Sequence, residues 1–305
     1  MDVTNLPRIS IVTSCFNAEA YVEQTLRSVI QQDYSNIEYI FIDGVSTDGT
    51  LRIARQYESR LALLKSEPDE GQYHGIQKGL GQATGEIMAW LNGDDMYYPW
   101  TLALVGHIFS TFPEVDWIIG SPSYMNSHGI CTRVSGVSAS AYPRSYISNG
   151  WYRPALAGYL QQESMFWRKR LWDRVGGLDL SLSYAADFDL WRRFSSYAEL
   201  VAIAVPLALF RHRPGEQRSS KGAQQYEAEV LHVCDQLPIP RIWQALSSHG
   251  ESLRHLCRMA CWKKTPVITY SNQQQRWVKT KNYRPIARTS LVDLMMESTV
   301  RGAKV

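Results

Sequence analysis

Three short stretches hold the side chains with which this chain could do chemistry. Trp90 to Asp95 reads WLNGDD, an apolar run that stops at a glycine and two adjacent carboxylates. Asp43 to Thr50 reads DGVSTDGT, and Ala185 to Trp191 reads AADFDLW. Adjacent anions repel, and stripping water from either is costly unless a cation or hydrogen-bond donors compensate. Asp94 and Asp95 therefore require something positive nearby. A turn capped by two aspartates is the plainer reading of the same residues, as turn chemistry is for Asp43-Gly44. Lys78 offers a point charge to a phosphate, or is an exposed helical lysine.

The elements that must position these residues follow from periodicity. Ile9 to Ser14 (ISIVTS) is a continuous β-branched run, which predicts a strand buried on both faces of a mainly parallel sheet. Ala18 to Gln31 has Tyr21, Val22, Thr25, Leu26, Val29 and Ile30 at helical spacing. Ile37 to Ile42 reads as a second strand, Thr50 to Glu58 as a helix, and Leu61 to Lys65 as a third strand. Gln72 to Gly81 is a helix, and Glu86 to Leu91 a fourth strand running into Asn92. This alternation predicts an open α/β sheet, in which ligands sit beyond the carboxyl ends of the strands. Thr13, Asp43 and the Asp94-Asp95 pair all lie at such ends. Ser121 to Pro154 has no clear period and reads as a long excursion over that edge. Lys169 to Val175 and Ala185 to Arg193 are helical, the latter with an acidic first turn that suits the helix dipole. Beyond Ser220 helical segments dominate, broken by prolines.

Bulk properties narrow the class. At 305 residues, with 45% hydrophobic and 20% charged residues, the chain is an ordinary globular protein rather than a disordered or fibrous one. Five dispersed cysteines do not form a disulfide framework, which fits a reducing cytoplasm. Cys257 and Cys261 (CxxxC) read as helix packing, since no second pair at zinc spacing accompanies them. No signal peptide is visible in the polar Met1 to Arg8. The apolar run Leu200 to Phe210 has 11 residues and an internal proline, well short of the roughly 20 that span a bilayer. Charge is uneven. Residues 1–220 carry 19 Lys+Arg against 23 Asp+Glu, and residues 221–305 carry 13 against 6. The basic tail points to peripheral contact with anionic lipid, or is a solvated helix face. No recognition motif supports nucleic-acid binding.

Taken together, DGVSTDGT, GEIMAWLNGDD and the later GGLD followed by AADFDLW resemble glycosyltransferase family 2, the inverting enzymes of GT-A fold, from about Ile9 to Arg213. The resemblance implies a Rossmann-like, mainly parallel sheet flanked by helices, with a helical C-terminal extension. It implies a transferase domain over 1–220, its nucleotide-binding part about 1–120 and its acceptor-side part about 121–220, followed by a basic, mainly helical region over 221–305. Thr13, Asn17 and Asp43 fall where the family holds the base and ribose of a nucleotide sugar, and Asp43 could accept from a uracil N–H or a ribose hydroxyl. Asn92 to Asp95 corresponds to the DxD-type motif, so Asp94 foremost, with Asp95, would ligate Mg2+ or Mn2+ together with diphosphate oxygens, Asp95 alternatively orienting substrate. Asn92 stands where the first aspartate is usual. Asp187 falls on the general base of the ED-type motif, with Ala186 in place of the usual glutamate; Asp189 is its rival. His212 lies where relatives place a histidine that completes the metal shell or touches the diphosphate, or is a structural histidine. The loop Glu67 to Gly71 and His74 border the base pocket without an assignable role. The aromatics Tyr142, Tyr146, Trp151, Tyr152 and Tyr159 could stack on sugar rings or simply pack the excursion.

The expected activity is transfer of a sugar, from UDP in the first instance, to a glycan or lipid-linked acceptor hydroxyl in cell-envelope or exopolysaccharide synthesis, at the cytoplasmic side of the membrane. Two other readings compete. A sugar-phosphate nucleotidyltransferase would show a glycine-rich basic loop after the first strand, which Ser14 to Ala18 is not, and a nicotinamide enzyme would show GxGxxG. A noncatalytic nucleotide-sugar or glycan-binding homologue is compatible with Asn92 and Ala186.

Overall fold

The computed structural model describes residues 6–134, 142–153, 159–213, 222–234 and 265–282. In chain order the elements are β1 (Ile9–Cys15), α1 (Val22–Ile30), β2 (Ile37–Asp43), α2 (Thr50–Arg55), β3 (Leu63–Ser66), α3 (Gln72–Gln82), β4 (Ile87–Trp90), β5 (Met96–Tyr97) and α4 (Thr101–Thr111). There follow β6 (Trp117–Ile119), β7 (Ser123–Met125), β8 (Cys131–Val134), α5 (Arg144–Ser148), a 3-10 turn (Gln162–Ser164), β9 (Met165–Arg168), α6 (Lys169–Val175) and α7 (Ala186–Ser195). The last are β10 (Leu200–Ile203), β11 (Ala208–Arg211), α8 (Ala223–Val233), β12 (Thr265–Ser271) and β13 (Arg276–Asn282).

Among the described residues the main sheet has nine strands in the order β13-β12-β10-β6-β9-β4-β1-β2-β3. β1 is parallel to β2 and β4, and β2 to β3, whereas β9 runs antiparallel between β4 and β6. Every residue of β1 is buried, as a strand covered on both faces requires. A second sheet, β5-β11-β7-β8, lies over the end of β4 and brings the later chain back to the Asp94-Asp95 turn.

The core sits between the sheet and its helices and is densest in tryptophan. Trp90 at the end of β4 stacks on Trp191 of α7 with ring centroids 5.4 Å apart, and Trp167 meets both edge-on. Each such aromatic pair adds about 0.5–1.5 kcal/mol beyond its area burial. The stack fixes the strand leading to Asp94 against the helix that carries Asp187 in its first turn.

Two expectations take a different form. The helical reading of 221–305 holds over Ala223–Val233, but residues 265–282 form a hairpin whose first strand pairs parallel to β10 through Ala202 with Val267 and Ile203 with Ile268. The β-branched run Val267-Ile268-Thr269 and the polar turn Asn272–Gln275 account for it. Cys257 and Cys261 lie outside the described residues. The excursion aromatics pack the loop itself: Tyr142 meets Tyr152 and Tyr146 meets Trp151, and the three tyrosines are buried. Tyr159 instead is exposed and faces Tyr226 of α8.

Candidate active site

Loops after β1, β2, β3 and β4 meet along one edge of the sheet. Asn17, at φ 50°, accepts from the Thr47 N–H at 2.9 Å through Oδ1, and its own N–H donates to Ser46 Oγ at 2.9 Å. This polar residue in the left-handed region is what lets the loop after β1 clasp the DGVSTDGT loop. Asp43 is fully buried; its carboxylate accepts from the Ser46 N–H at 3.1 Å and from the Ser66 hydroxyl at 2.6 Å. Asp43 thus ties together the loops after β2 and β3. Asp69, from the loop after β3, lies so close that a Cβ on Gly44 would stand 2.8 Å from its Oδ2. The sequence reading named that loop without singling out Asp69.

Two predicted nucleotide contacts point elsewhere. Thr13 is fully buried, and its hydroxyl lies 3.0 Å from the hydroxyl of Tyr39 on the neighbouring strand, so it braces β1 against β2 instead of meeting a ligand. The alternation of a strand aims one residue in two at the adjoining core. Lys78 donates to the Pro68 carbonyl at 2.7 Å and pairs with Glu67 at 3.1 Å, which fastens the loop after β3 to α3 and engages the ammonium within the protein. Lys78→Met is accordingly expected to change nucleotide affinity by less than about twofold, the range of a partly exposed ion pair, when titrated by calorimetry. A tenfold loss would return Lys78 to the site.

The positive charge demanded by the WLNGDD turn comes from two arginines at the end of β11. Arg211 is fully buried, and its guanidinium donates to the Asp94 carbonyl at 2.6 Å, to the carbonyls of Asn126 and Ser127, and to Gln24 Oε1 at 2.8 Å. Arg213 pairs with the Asp94 carboxylate. Both guanidinium groups lie over the Tyr21 ring, 4.7 and 4.8 Å from its centre. Asp95 is buried and spent internally: Oδ1 accepts from the Arg211 N–H at 2.9 Å and Oδ2 from the Asn92 amide at 3.2 Å. Burial, and after it the neighbouring Asp94 and Glu163, push its carboxyl well above the usual range. Asn92, where an aspartate was the familiar residue, is a hub that also accepts from Gln72 at 2.7 Å and donates to Gln162 at 3.2 Å.

These contacts test the expected metal set. Asp94 is half-buried at the cleft and fits a divalent cation in the mode in which one carboxylate, phosphate oxygens and water complete the shell. Asp95 does not fit, because its carboxylate is buried and bonded within the protein. His212 does not fit either. It comes just after the end of β11 and is exposed, while Arg211 and Arg213 on either side of it both reach Tyr21 and the Asp94 turn. No group of three metal-ligating side chains occurs among the described residues.

Asp187 occupies the first turn of α7. Its Oδ1 accepts from the Tyr73 hydroxyl at 2.9 Å and from the Phe188 N–H at 2.8 Å. Burial raises its pKa from the ordinary carboxylate value, while the Tyr73 and Phe188 bonds oppose the rise. Asp189, the rival, is buried and bonded at 2.6 Å to Arg193 one turn on, so it holds α7 together. One residue escaped the sequence reading altogether. Glu163 is buried, Oε1 has no hydrogen-bond partner, and its carboxyl is pushed up to about 8 by burial and then by Asp94 and Asp187. A lone carboxylate at the head of the apolar run ESMFW was the available signal.

Comparisons with known proteins bear on the family likeness and the fold. A family model described as glycosyl transferase family 2 matches residues 10–121. The putative glycosyltransferase EpsE of Bacillus subtilis is 34% identical over 97 residues, 30% of this chain and 35% of that protein. Across five of the curated relatives that match, the chain spans between 35% and 59% of their length. Among solved structures, S. aureus TarS 1–349 with UDP-GlcNAc superposes with a TM-score of 0.59 at 18% identity, over 82% of this chain and 73% of that one. The mannosyltransferase PcManGT of Pyrobaculum calidifontis, with GDP-Man and Mn2+, gives 0.52 at 22% identity, over 85% and 73%. At these identities the likeness carries the fold, which is the GT-A type.

Proposed function

We propose, from the premise that the chain belongs to glycosyltransferase family 2, that it moves a sugar from a nucleotide-sugar donor to an acceptor hydroxyl with inversion at the anomeric carbon. The observation that carries the reading is the placement of two carboxylates with different surroundings. Asp94 sits at the end of β4 beside arginines, and Asp187 heads α7 with a tyrosine hydroxyl on one oxygen. The Trp90–Trp191 stack locks one to the other.

Asp187 is the general base. One oxygen is occupied by Tyr73 and the Phe188 N–H, which orients the other toward an acceptor hydroxyl whose proton it takes as the acceptor oxygen attacks. The bond from the anomeric carbon to the diphosphate breaks on the opposite face, and the nucleoside diphosphate leaves. Arg213 and the backbone-anchored Arg211 give the leaving side its positive field. When bound, Mg2+ or Mn2+ at Asp94 would supply further neutralisation of the diphosphate. Asn17, Asp43 and Asp69 shape the base and ribose end through the loops they hold. UDP is the proposed carrier, although solved proteins of this fold hold UDP-GlcNAc in one case and GDP-Man in another. The acceptor is proposed to be a cell-envelope or exopolysaccharide glycan, free or lipid-linked. Its site is assigned to the 121–220 part of the chain, and the basic 221–305 region is the candidate for contact with the cytoplasmic leaflet. No helix among the described residues is long and apolar enough to cross a membrane.

Calorimetry with UDP, GDP, CDP and dTDP, with and without Mn2+, tests this. One nucleotide should bind in a metal-dependent way, and Asp94→Ala should weaken it by about tenfold or more, equivalent to about 1.4 kcal/mol. Absence of binding by any of the four, with either metal condition, would overturn the donor site and leave a noncatalytic glycan-binding protein as the better account.

A further inference from the structure

The region beyond residue 220 has no counterpart in the family motifs, yet one side chain from it reaches the catalytic end of α7. Glu229, midway along α8, accepts three consecutive backbone N–H groups: Ser183 at 2.9 Å on Oε1, and Tyr184 and Ala185 at 2.8 Å each on Oε2. Ala185 immediately precedes α7, two positions before Asp187. No side chain caps the α7 N-terminus, and the loop that leads into it is instead held by a carboxylate from another element, which accepts its three last N–H groups. Charge-assisted bonds of this kind are about twice as strong as neutral ones. The contact is backed by packing, since Val230 and Cys234 of α8 form a small separate core with Ala185 and Phe188. From the other side Tyr73 of α3 grips the same turn, with its hydroxyl 2.9 Å from Asp187 Oδ1 and 3.1 Å from the Tyr184 carbonyl.

We propose that Glu229 is a positioning residue for the transfer step, an external clamp that sets the 183–185 backbone and through it the aim of Asp187. The proposal rests on the reading of Asp187 as the base. Glu229 touches neither donor nor acceptor; its work is to remove freedom from the loop that delivers the base, and a displacement of about 1 Å at a reacting group can cost about a hundredfold in rate. α8 is thereby part of the transferase machinery and not an appendage to it.

The test is a cycle of Asp187→Asn, Glu229→Gln and the double variant in the full chain, read as kcat and donor KM. Gln keeps the shape but loses the charge and turns an N–H toward backbone N–H groups. Glu229→Gln should lower kcat by about ten- to a hundredfold with donor KM unchanged, and should add nothing in the Asp187→Asn background. Loss of turnover in Asp187→Asn together with wild-type kcat in Glu229→Gln overturns the clamp alone. Full multiplication of the two effects does the same, since Glu229 would then act independently. Near-normal turnover in Asp187→Asn overturns the base assignment and the clamp with it. Hydrogen exchange on the unmodified protein supplies an arm that needs no variant to fold: the Ser183, Tyr184 and Ala185 amides should be protected together, and free exchange at all three rejects the clamp.

Discussion

Asp187→Asn should lower sugar transfer by about 10²- to 10⁴-fold while leaving nucleotide binding intact. That range is the typical contribution of a positioned general base. Asn preserves the size and can still accept from Tyr73 and the Phe188 N–H, so the loss isolates proton abstraction from packing. The pH profile offers a second reading of the same residue. On the proposed role Asp187 works only when ionised, and burial holds its pKa above the ordinary carboxylate value. Activity of the wild type should therefore rise with pH through an acid limb lying above the normal carboxylate range. Tyr73→Phe removes a hydrogen bond that favours the ionised form, so it should move that limb further up, toward neutral pH. Turnover within threefold of wild type in Asp187→Asn, or a limb that moves down in Tyr73→Phe, would refute the assignment.

Arg211→Leu should destabilise the fold by about 3–5 kcal/mol, the cost of breaking a buried, hydrogen-bonded charge network by removing one partner. Four acceptors lose their donor: the carbonyls of Asp94, Asn126 and Ser127, and Gln24 Oε1. The turn that presents Asp94 loses the cation beneath it at the same time. Lys at this position restores the charge but cannot span four acceptors with one ammonium, so Arg211→Lys should recover only part of the loss. Urea unfolding of the three proteins measures both. A shift under 1 kcal/mol for Leu would mean that the buried guanidinium is not what holds the turn.

The parts of this molecule legible from sequence are those fixed by local pattern. The buried run ISIVTS has to be a covered strand, and the strand–loop–helix alternation alone puts Asp43, Asp94 and Asp95 at one edge. Types and ends were readable; partners were not. That Thr13 would spend its hydroxyl on Tyr39, 26 residues away, depends on strand register, which no local window encodes. Likewise WLNGDD announced that a cation was required but not which one. The alternating Arg211-His212-Arg213 did hold the clue, because it sets a permanent cation on either side of the histidine. Glu229 is unreadable for the opposite reason: it is one carboxylate in an unremarkable segment, and its meaning arises only from what the fold sets beside it.

The pairing of β12 with β10 has a consequence for how the chain is made. β10 (LVAI) is buried along its whole length, but its outer partner lies more than 60 residues later in the sequence. A chain leaving the ribosome therefore carries an apolar strand with one open edge until Thr265–Ser271 has emerged, and open edges of that kind are where nascent proteins stick to one another. Once β12 closes on it, β13 becomes the border of the sheet among the described residues and presents Arg276 and Lys281 to solvent, while Lys279 pairs with Glu114. The late hairpin thus exchanges an adhesive margin for a cationic one, and part of the tail's excess positive charge guards the finished protein against self-association.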